Sequence, residues 1–492
     1  MTLSSVEAAD IENNEQFSSC VYGFARQHNP THEIPEEEMP PTVAYAMIQD
    51  ELAMDGKPCL NLASFVTTYM EEEAIKLMTE NMTKNFIDYE EYPATIDIHN
   101  RCVNMIARLF NAPFTENEEA LGCSTIGSSE AIILSVLAMK RRWQQKRKAA
   151  NLSTDSPNLV MGANVQVCWE KAVNYLEIEA KYVYCTEDCL VLDPKKAVEL
   201  CDENTIGICL ILGSTYNGEY EDVKAVNELL EKKCADTNGA VDIPIHVDAA
   251  SGGFVAPFIN PELEWDFRLP RVVSINVSGH KYGLVFAGVG WAIWRSKEYL
   301  PQNLIFTINY LGAEQNSFTL NFSKGSSQVI AQYYVLIRLG KSGFRAIMRN
   351  LQSYSDYLGD ILEKSVFKVV SKRNGEGLPL VAFKLKEKKH YDEFDIANKL
   401  REKGWIVPAY TCPPSAESIN ILRVVVREDF SKSRCNLFLK DIAAVVKYLE
   451  TLEKSSLKVI RTHTMSAKDR WGLVKNVFKI KAAHKISTHG IC

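Results

Sequence analysis

From about residue 58 onward, short apolar runs alternate with stretches whose apolar residues recur at helical spacing. TIGICLILG (205–213), IPIHVDAA (243–250) and VVSINVSG (272–279) are short, rich in Ile and Val, and hold one acid between them. Continuous apolarity over so few residues predicts buried strands of a parallel sheet covered on both faces. AIILSVLAMKRRWQQKRK (131–148) opens apolar and ends basic, as a helix leaving the core does. From about 345 the pattern changes to a long polar helix, then KVVSK, PLVAFKLK, a helix near 394–403 and NILRVVV. The prediction is an α/β chain with a mainly parallel central sheet at 58–345 and a small α+β C-terminal domain at 346–455. An N-terminal segment of helices and loops (1–57) precedes them, and a basic tail (456–492) follows. HNPTHEIPEEEMPP, within the N-terminal segment, carries four prolines and cannot be one continuous helix.

Composition narrows the class. At 492 residues the chain has room for two or three packed units. With 46% hydrophobic and 24% charged residues it is ordinary globular material, which excludes wholesale disorder. No apolar run approaches the roughly 18 residues that span a bilayer. The opening MTLSSVEAADIENNEQ has neither the basic and apolar regions of a secretory leader nor the basic character of a transit peptide, so the cytosol is the expected location. The thirteen cysteines are scattered and contain no C-x-x-C pair; Cys185 and Cys189 lack partners at zinc spacing. They read as small buried residues in a reducing compartment, no metal is expected, and Cys123 has no assigned role. The net charge of -7 is uneven: Lys458 to Cys492 holds eight basic residues against Asp469, so that stretch carries +7 and the remainder -14. An acidic body argues against nucleic acid, and a basic tail suggests a partner-binding segment.

Three constellations carry chemistry. SINVSGHKYG (274–283) sets Lys281 in a Ser/Gly turn at a strand exit, where partial desolvation makes an amine nucleophilic. HVDAASGGF (246–254) ends a strand on Asp248, a carboxylate that could keep the ring nitrogen of pyridoxal phosphate protonated. STIGSSEAIIL (124–134) places Gly127, Ser128 and Ser129 before an apolar helix, a cradle for phosphate at the helix N-terminus. Singly, these read as a loop lysine, a turn residue and a capping box. Together they follow the chain order of the fold-type I enzymes of this cofactor.

With LNLASFVTTYM (60–70), DYEEYPATIDIHNRCVNMIARLFNAP (88–113), GANVQVCWEKA (162–172), HVDAASGGFVAPFINPELEWDFRLP (246–270) and INYLGAEQNSFTLNFSKGSSQVIAQYY (308–334), the chain resembles plant-type glutamate decarboxylases, group II pyridoxal-phosphate enzymes, from about Pro41 to its end. That resemblance implies conversion of L-glutamate to 4-aminobutyrate and CO2, with Lys281 holding the cofactor as a Schiff base. It implies that Asp248 pairs with the ring nitrogen, that Ala250 and Gln166 lie on opposite ring faces, and that Thr215 lies near the ring substituents. Ser128, Ser129, Ser278 and His280 are implied as cofactor neighbours in one subunit, and Ser323 as a phosphate contact from the next. Ser64, Phe65 and Asp88 are implied to surround the distal carboxylate from the neighbouring chain, and Tyr310 and Leu311 to form a hairpin over the site that supplies a proton. Sites shared in this way imply a dimer, and the family a hexamer of dimers.

Arg423 in INILRVVVRED shares strand parity with Ile419, Ile421 and Val425, so its guanidinium points into an apolar layer and needs an anion, either the substrate α-carboxylate or a core acid. In the tail, SAKDRWGLVKNVFKIKAAHKISTH (466–489) spaces Trp471, Val474, Val477 and Phe478 at helical intervals among Lys475, Lys479, Lys481 and Lys485, though Gly472 interrupts. This basic amphipathic pattern suits calmodulin, and the plant resemblance implies the same; a docking helix or an anionic membrane contact are the alternatives. Two other functions stay open: the same chemistry on aspartate or an aromatic amino acid, and an inactive homologue kept as an assembly partner.

Overall fold

The structure, a computed structural model, describes residues 32–115, 117–308 and 315–453. The chain divides into two units, one ending at Pro58 and the other beginning at Cys59. In the first, the described helix is α1 (Pro41–Leu52), opened by a proline whose missing N–H would have had no partner in a first turn.

The second unit is built on a seven-stranded sheet of β1 (Leu121–Thr125), β2 (Asn158–Gly162), β3 (Glu179–Val183), β4 (Thr205–Ile211), β5 (Ile245–Asp248), β6 (Val272–Ser278) and β7 (Gly290–Trp294), in the order β1-β7-β6-β5-β4-β2-β3. Only β7 runs against its neighbours. Every residue of β4, β5 and β6 is buried, so the three apolar runs are the central parallel strands predicted. The chain also forms α2 (Glu72–Glu80), α3 (Pro93–Leu109), α4 (Ser128–Ala149), α5 (Val167–Tyr175), α6 (Pro194–Glu199), α7 (Val223–Asp236), α8 (Ala256–Ile259) and α9 (Ser327–Glu363). On one face of the sheet, Leu159, Met161, Cys209 and Ile211 pack with Ile132, Val136 and Trp169 of α4 and α5. Val160, Ile208 and Leu210, one position out of phase, join the larger core on the other face with residues of α3, α7 and α9. Strand periodicity thus divides a continuous apolar run between two helix layers.

Hairpin strands β8 (Phe306–Ile308) and β9 (Gln315–Ser317) precede α9. The long helix predicted from about 345 begins already at Ser327, because Val329, Ile330 and Ala331 give its first turns a buried face. It breaks at Gly340 (φ 56°, ψ -176°), and residues 345–346 lie inside it. The chain ends in an antiparallel sheet of β10 (Phe367–Val369), β11 (Leu380–Leu385), β12 (Ala409–Thr411) and β13 (Asn420–Val425), ordered β10-β11-β13-β12, with α10 (Glu393–Glu402) and α11 (Lys432–Thr451).

Two connections aim the site. Residues 60–67 run beside the small sheet: Ile406 N–H donates to Leu60 O, Val425 N–H to Leu62 O (2.9 Å), and Arg427 Nη1 to Val66 O (3.1 Å). Thr67 then donates its N–H to His280 O (2.8 Å) and its hydroxyl to Lys281 O (2.6 Å), so one segment ties the small sheet to the β6 exit. The other is the turn after β4, where Gly213 has φ +101° and a Cβ would lie 2.7 Å from Leu378 Cγ. Both the backbone and the space there require glycine. Gly213→Ala is expected to destabilise the fold by about 2 kcal/mol, read as a lower urea midpoint at unchanged slope.

Candidate active site

Parallel strands present their carboxyl ends at one edge, and the chemistry-bearing residues leave from there. Asp248 is the last residue of β5, level with Ile211 of β4 and Asn276 of β6. Its carboxylate is 4% exposed. Oδ1 accepts from Ala250 N–H (3.1 Å) and Asn276 Nδ2 (2.9 Å), and Oδ2 from the Trp169 indole (3.0 Å). A carboxylate offers about four lone-pair sites, so three donors leave capacity for one more, and no ion pair among the described residues uses it.

Lys281 follows β6. Its Nζ donates to Ser251 Oγ (3.2 Å) and lies 5.7 Å from the Phe65 ring centroid. Burial pulls its pKa below the usual lysine value, while the nearby Asp248 carboxylate pushes back. A cradle forms alongside. The Ser128 and Ser278 hydroxyls share a short hydrogen bond, and His280 Cε1 would sit 3.3 Å from a Cβ at Gly127. Gly290, opposite both Ser278 and Thr125, lets β7 approach closely: a Cβ there would be 2.8 Å from Gly127 C. His280 donates from Nδ1 to Val289 O (2.9 Å), Nε2 has no hydrogen bond among the described residues, and burial lowers its pKa. Ser278 N–H donates to Ala250 O (3.2 Å), which joins the cradle to the Asp248 turn.

Arg423, on β13, is 1% exposed. Nη1 donates to Thr215 O and Nη2 to Ala63 O (2.7 Å), while Nε has no partner among the described residues. Its Cζ lies 4.8 Å from the Phe65 ring centroid and 5.5 Å from that of Tyr410. Among the described residues it meets no carboxylate, so the core acid weighed in the sequence is absent. A guanidinium desolvated without a counter-charge costs several kcal/mol, and a ligand carboxylate would offset that.

Lys281, Asp248, Ala250, Gly127, Ser128, Ser278, His280, Thr215, Phe65 and Arg423 are therefore linked by direct contacts, and Ser64 adjoins Phe65, its hydroxyl accepting from Val66 N–H (3.1 Å). Gln166 stands just before α5, three residues from Trp169. Phe65 lies beside Lys281 and Arg423 of its own chain, on the segment 60–67 that is pinned between the small sheet and Lys281. Asp88 and Ser323 are not brought to this site. They flank a second cluster, where Asn85 Nδ2 donates to Ser323 Oγ (3.4 Å) and Phe86 N–H to Lys324 O (2.8 Å). Ser323 and Ser129 are exposed. Tyr310, Leu311 and the tail residues Trp471, Val474, Lys475, Phe478 and Lys479 lie outside the described residues. Sequence reasoning missed Trp169, Asn276, Ser251 and Thr67.

These geometries define a site for pyridoxal phosphate: an anion cradle, a desolvated lysine and a buried carboxylate with one lone pair to spare. Residues 35–386 match the pyridoxal-dependent decarboxylase conserved domain, and the enzyme is a pyridoxal-phosphate-dependent carboxy-lyase. The chain is 57% identical to glutamate decarboxylase 1 of Arabidopsis thaliana and 56% identical to glutamate decarboxylase of Petunia hybrida, each alignment covering 92% of this chain and 89% of the relative. The solved glutamate decarboxylase of Lactobacillus brevis CGMCC 1306 superposes with a TM-score of 0.83 at 42% identity, over 88% of this chain and 98% of that one. The chain belongs to the plant-type glutamate decarboxylase family.

The strand leading to the cradle is braced by His99, 8% exposed, whose Nε2 accepts from Ser124 N–H (2.9 Å) while Nδ1 donates to Asn100 Oδ1 (3.0 Å). Burial pulls its pKa from 6.5 to about 4. The unfolded chain therefore binds a proton first as pH falls. Stability is full above 6.5, declines below it, and has lost this contribution entirely once pH is below about 4, by up to ~3 kcal/mol. In urea unfolding followed across that range, His99→Gln should flatten the acid slope.

Proposed function

We propose that this chain removes the α-carboxylate of L-glutamate as CO2 and releases 4-aminobutyrate. The observation that carries this reading is Arg423, a buried guanidinium with, among the described residues, an unpartnered Nε and no acid beside it, near the same Phe65 ring as Lys281. Its planar fork suits a carboxylate. Relatives named glutamate decarboxylase, close over nearly the whole chain, support the substrate.

Gly127 and Ser128, with Ser129, Ser278 and His280, would hold the cofactor phosphate at the N-terminus of α4, where the helix dipole favours an anion. Lys281 would hold the cofactor covalently; its lowered pKa leaves more of the amine unprotonated and able to attack a carbonyl. Ala250 and Gln166 would flank the ring, and Thr215 would approach its substituents. Asp248 would keep the proton on the ring nitrogen. When bound, pyridoxal phosphate supplies an electron sink for the pair left on Cα as CO2 departs. Arg423 holds the α-carboxylate by its charge, Phe65 closes an apolar wall against water, and Ser64 offers a hydroxyl to the distal carboxylate. Tyr310, with Leu311 beside it, is proposed to return a proton to Cα.

Asp88 and Ser323 make no contact with Lys281 in their own chain, which supports a second subunit supplying them, in dimers assembled as a hexamer. The basic amphipathic pattern of 466–489 supports calcium–calmodulin as a regulator. Eleven free cysteines among the described residues suit a reducing compartment, the cytosol.

Purified holoenzyme should release CO2 from L-glutamate, and Lys281→Ala should abolish both turnover and the visible absorbance of the bound cofactor. Arg423→Gln should lower kcat/KM for glutamate about 10- to 100-fold, the worth of a hydrogen-bonded charge pair; unchanged kinetics would remove Arg423 from substrate recognition. Truncation after Met465 should abolish any response of activity to calcium–calmodulin at neutral pH.

A further inference from the structure

Behind Asp248, away from Lys281, three further side chains on the two central strands form a continuous hydrogen-bonded file. Asn276 Nδ2 donates to Asp248 Oδ1 (2.9 Å), His246 Nε2 lies 2.7 Å from Asn276 Oδ1, and His246 Nδ1 lies 2.7 Å from Ser274 Oγ. Ser274, His246 and Asn276 are at most 1% exposed, so no water competes with these bonds. Strand register builds the file. Asp248 stands opposite Asn276 and His246 opposite Ser274, so H-x-D on β5 and S-x-N on β6 present their polar residues to the same side.

The polarity of the file has one solution. An ionised carboxylate only accepts, so the amide must turn its NH2 toward Asp248 and its oxygen toward His246. That oxygen also only accepts, so His246 must carry its proton on Nε2. Nδ1 is then a lone pair, and Ser274 donates to it. A protonated His246 would have two N–H groups facing Asn276 and Ser274, and burial opposes that charge, lowering the pKa to about 4. The imidazole is thus neutral and of fixed tautomer throughout the neutral range.

We infer that Asn276 and His246 are positioning residues for the cofactor: through them, Ser274 sets the direction of a hydrogen-bond file that presents an NH2 donor to Asp248 Oδ1 and leaves the carboxylate to hold the ring nitrogen. Any acceptor turned toward Oδ1 in place of the Asn276 NH2 would repel the carboxylate oxygen and weaken its hold on a protonated ring nitrogen. The inference rests on Asp248 as the partner of that nitrogen.

The test uses holoenzyme reconstituted with pyridoxal phosphate labelled with 15N in the ring, reading the ring-nitrogen NMR shift and the rate of cofactor release. His246→Gln keeps one donor and one acceptor and should retain the protonated-ring signal. His246→Leu, Asn276→Ala and Asn276→Asp, the last placing a second carboxylate beside Asp248, should move it toward the unprotonated value. Cofactor release should speed up by about tenfold, the loss of one hydrogen bond to a charge. If the Leu and Ala variants fail to fold, Ser274→Ala decides: a shift in the same direction supports the file, and an unmoved signal overturns it. Variants that lower the melting temperature but leave the 15N signal at its wild-type value would reduce the file to packing, and a Gln variant that behaves like the Leu variant would refute the polarity argument. Asp248→Asn separates the two levels. An unmoved signal there means the reading of Asp248 itself has failed, whereas a moved signal beside unmoved Asn276 variants means only the file has failed.

Discussion

Two opposite charges are buried in this fold without being allowed to meet. Asp248 and Arg423 would each be stabilised by the other, yet one ends β5 in the large sheet and the other lies on β13 in the small one, and backbone groups hold them apart. Desolvation is costly for both, and each is only partly compensated by neutral donors or carbonyls. The remaining electrostatic demand is met when ligands of matching charge arrive. Binding energy for cofactor and substrate is stored in the structure as incomplete charge compensation.

Lys281 stands between these two fields. Burial and, more weakly, Arg423 oppose its protonated form and outweigh Asp248, which favours it, so its pKa is lowered. The segment 60–67 completes this balance by placing the Phe65 ring within 5.7 Å of the Lys281 amine and 4.8 Å of the Arg423 guanidinium carbon. It also bonds the backbone of His280 and Lys281 on one side and of Leu60–Val66 to the small sheet on the other, so a relative movement of the two sheets would be felt directly at the lysine loop.

Much of this was legible in the sequence. TIGICLI and VVSINVS are apolar enough to specify central strands, and the turns that follow strands 245–248 and 272–278 expose Asp248 and Lys281 at the same edge. Strand parity was a weaker guide to Arg423 than it seemed fit to be, since Leu422 and Val424 on the opposite face of β13 are as buried as Ile421. What distinguishes Arg423 is the lack of an acid, a property of tertiary neighbours. Trp169 and Ser251 were missed for the same reason: nothing local in an apolar helix or a Gly/Ser turn announces a partner 79 or 30 residues away. His246, Ser274 and Asn276 did leave a signal, as polar residues at alternate positions in runs otherwise apolar up to Asp248 and Ser278. Reading it required the pairing of β5 with β6.

That pairing is not regular. Ile245 is opposite Val272, but His246 is opposite Ser274, because the register shifts by one residue between them. Were the Ile245–Val272 register continued without a shift, His246 would face Val273 and Asp248 would face Ile275 in place of an amide. The sheet would still be apolar on both sides and could still close. Foldedness and competence are therefore encoded separately here: the same apolar strands paired in the unshifted register would leave Asp248 without its amide donor, so an intact sheet is no guarantee of a working enzyme among this chain's descendants.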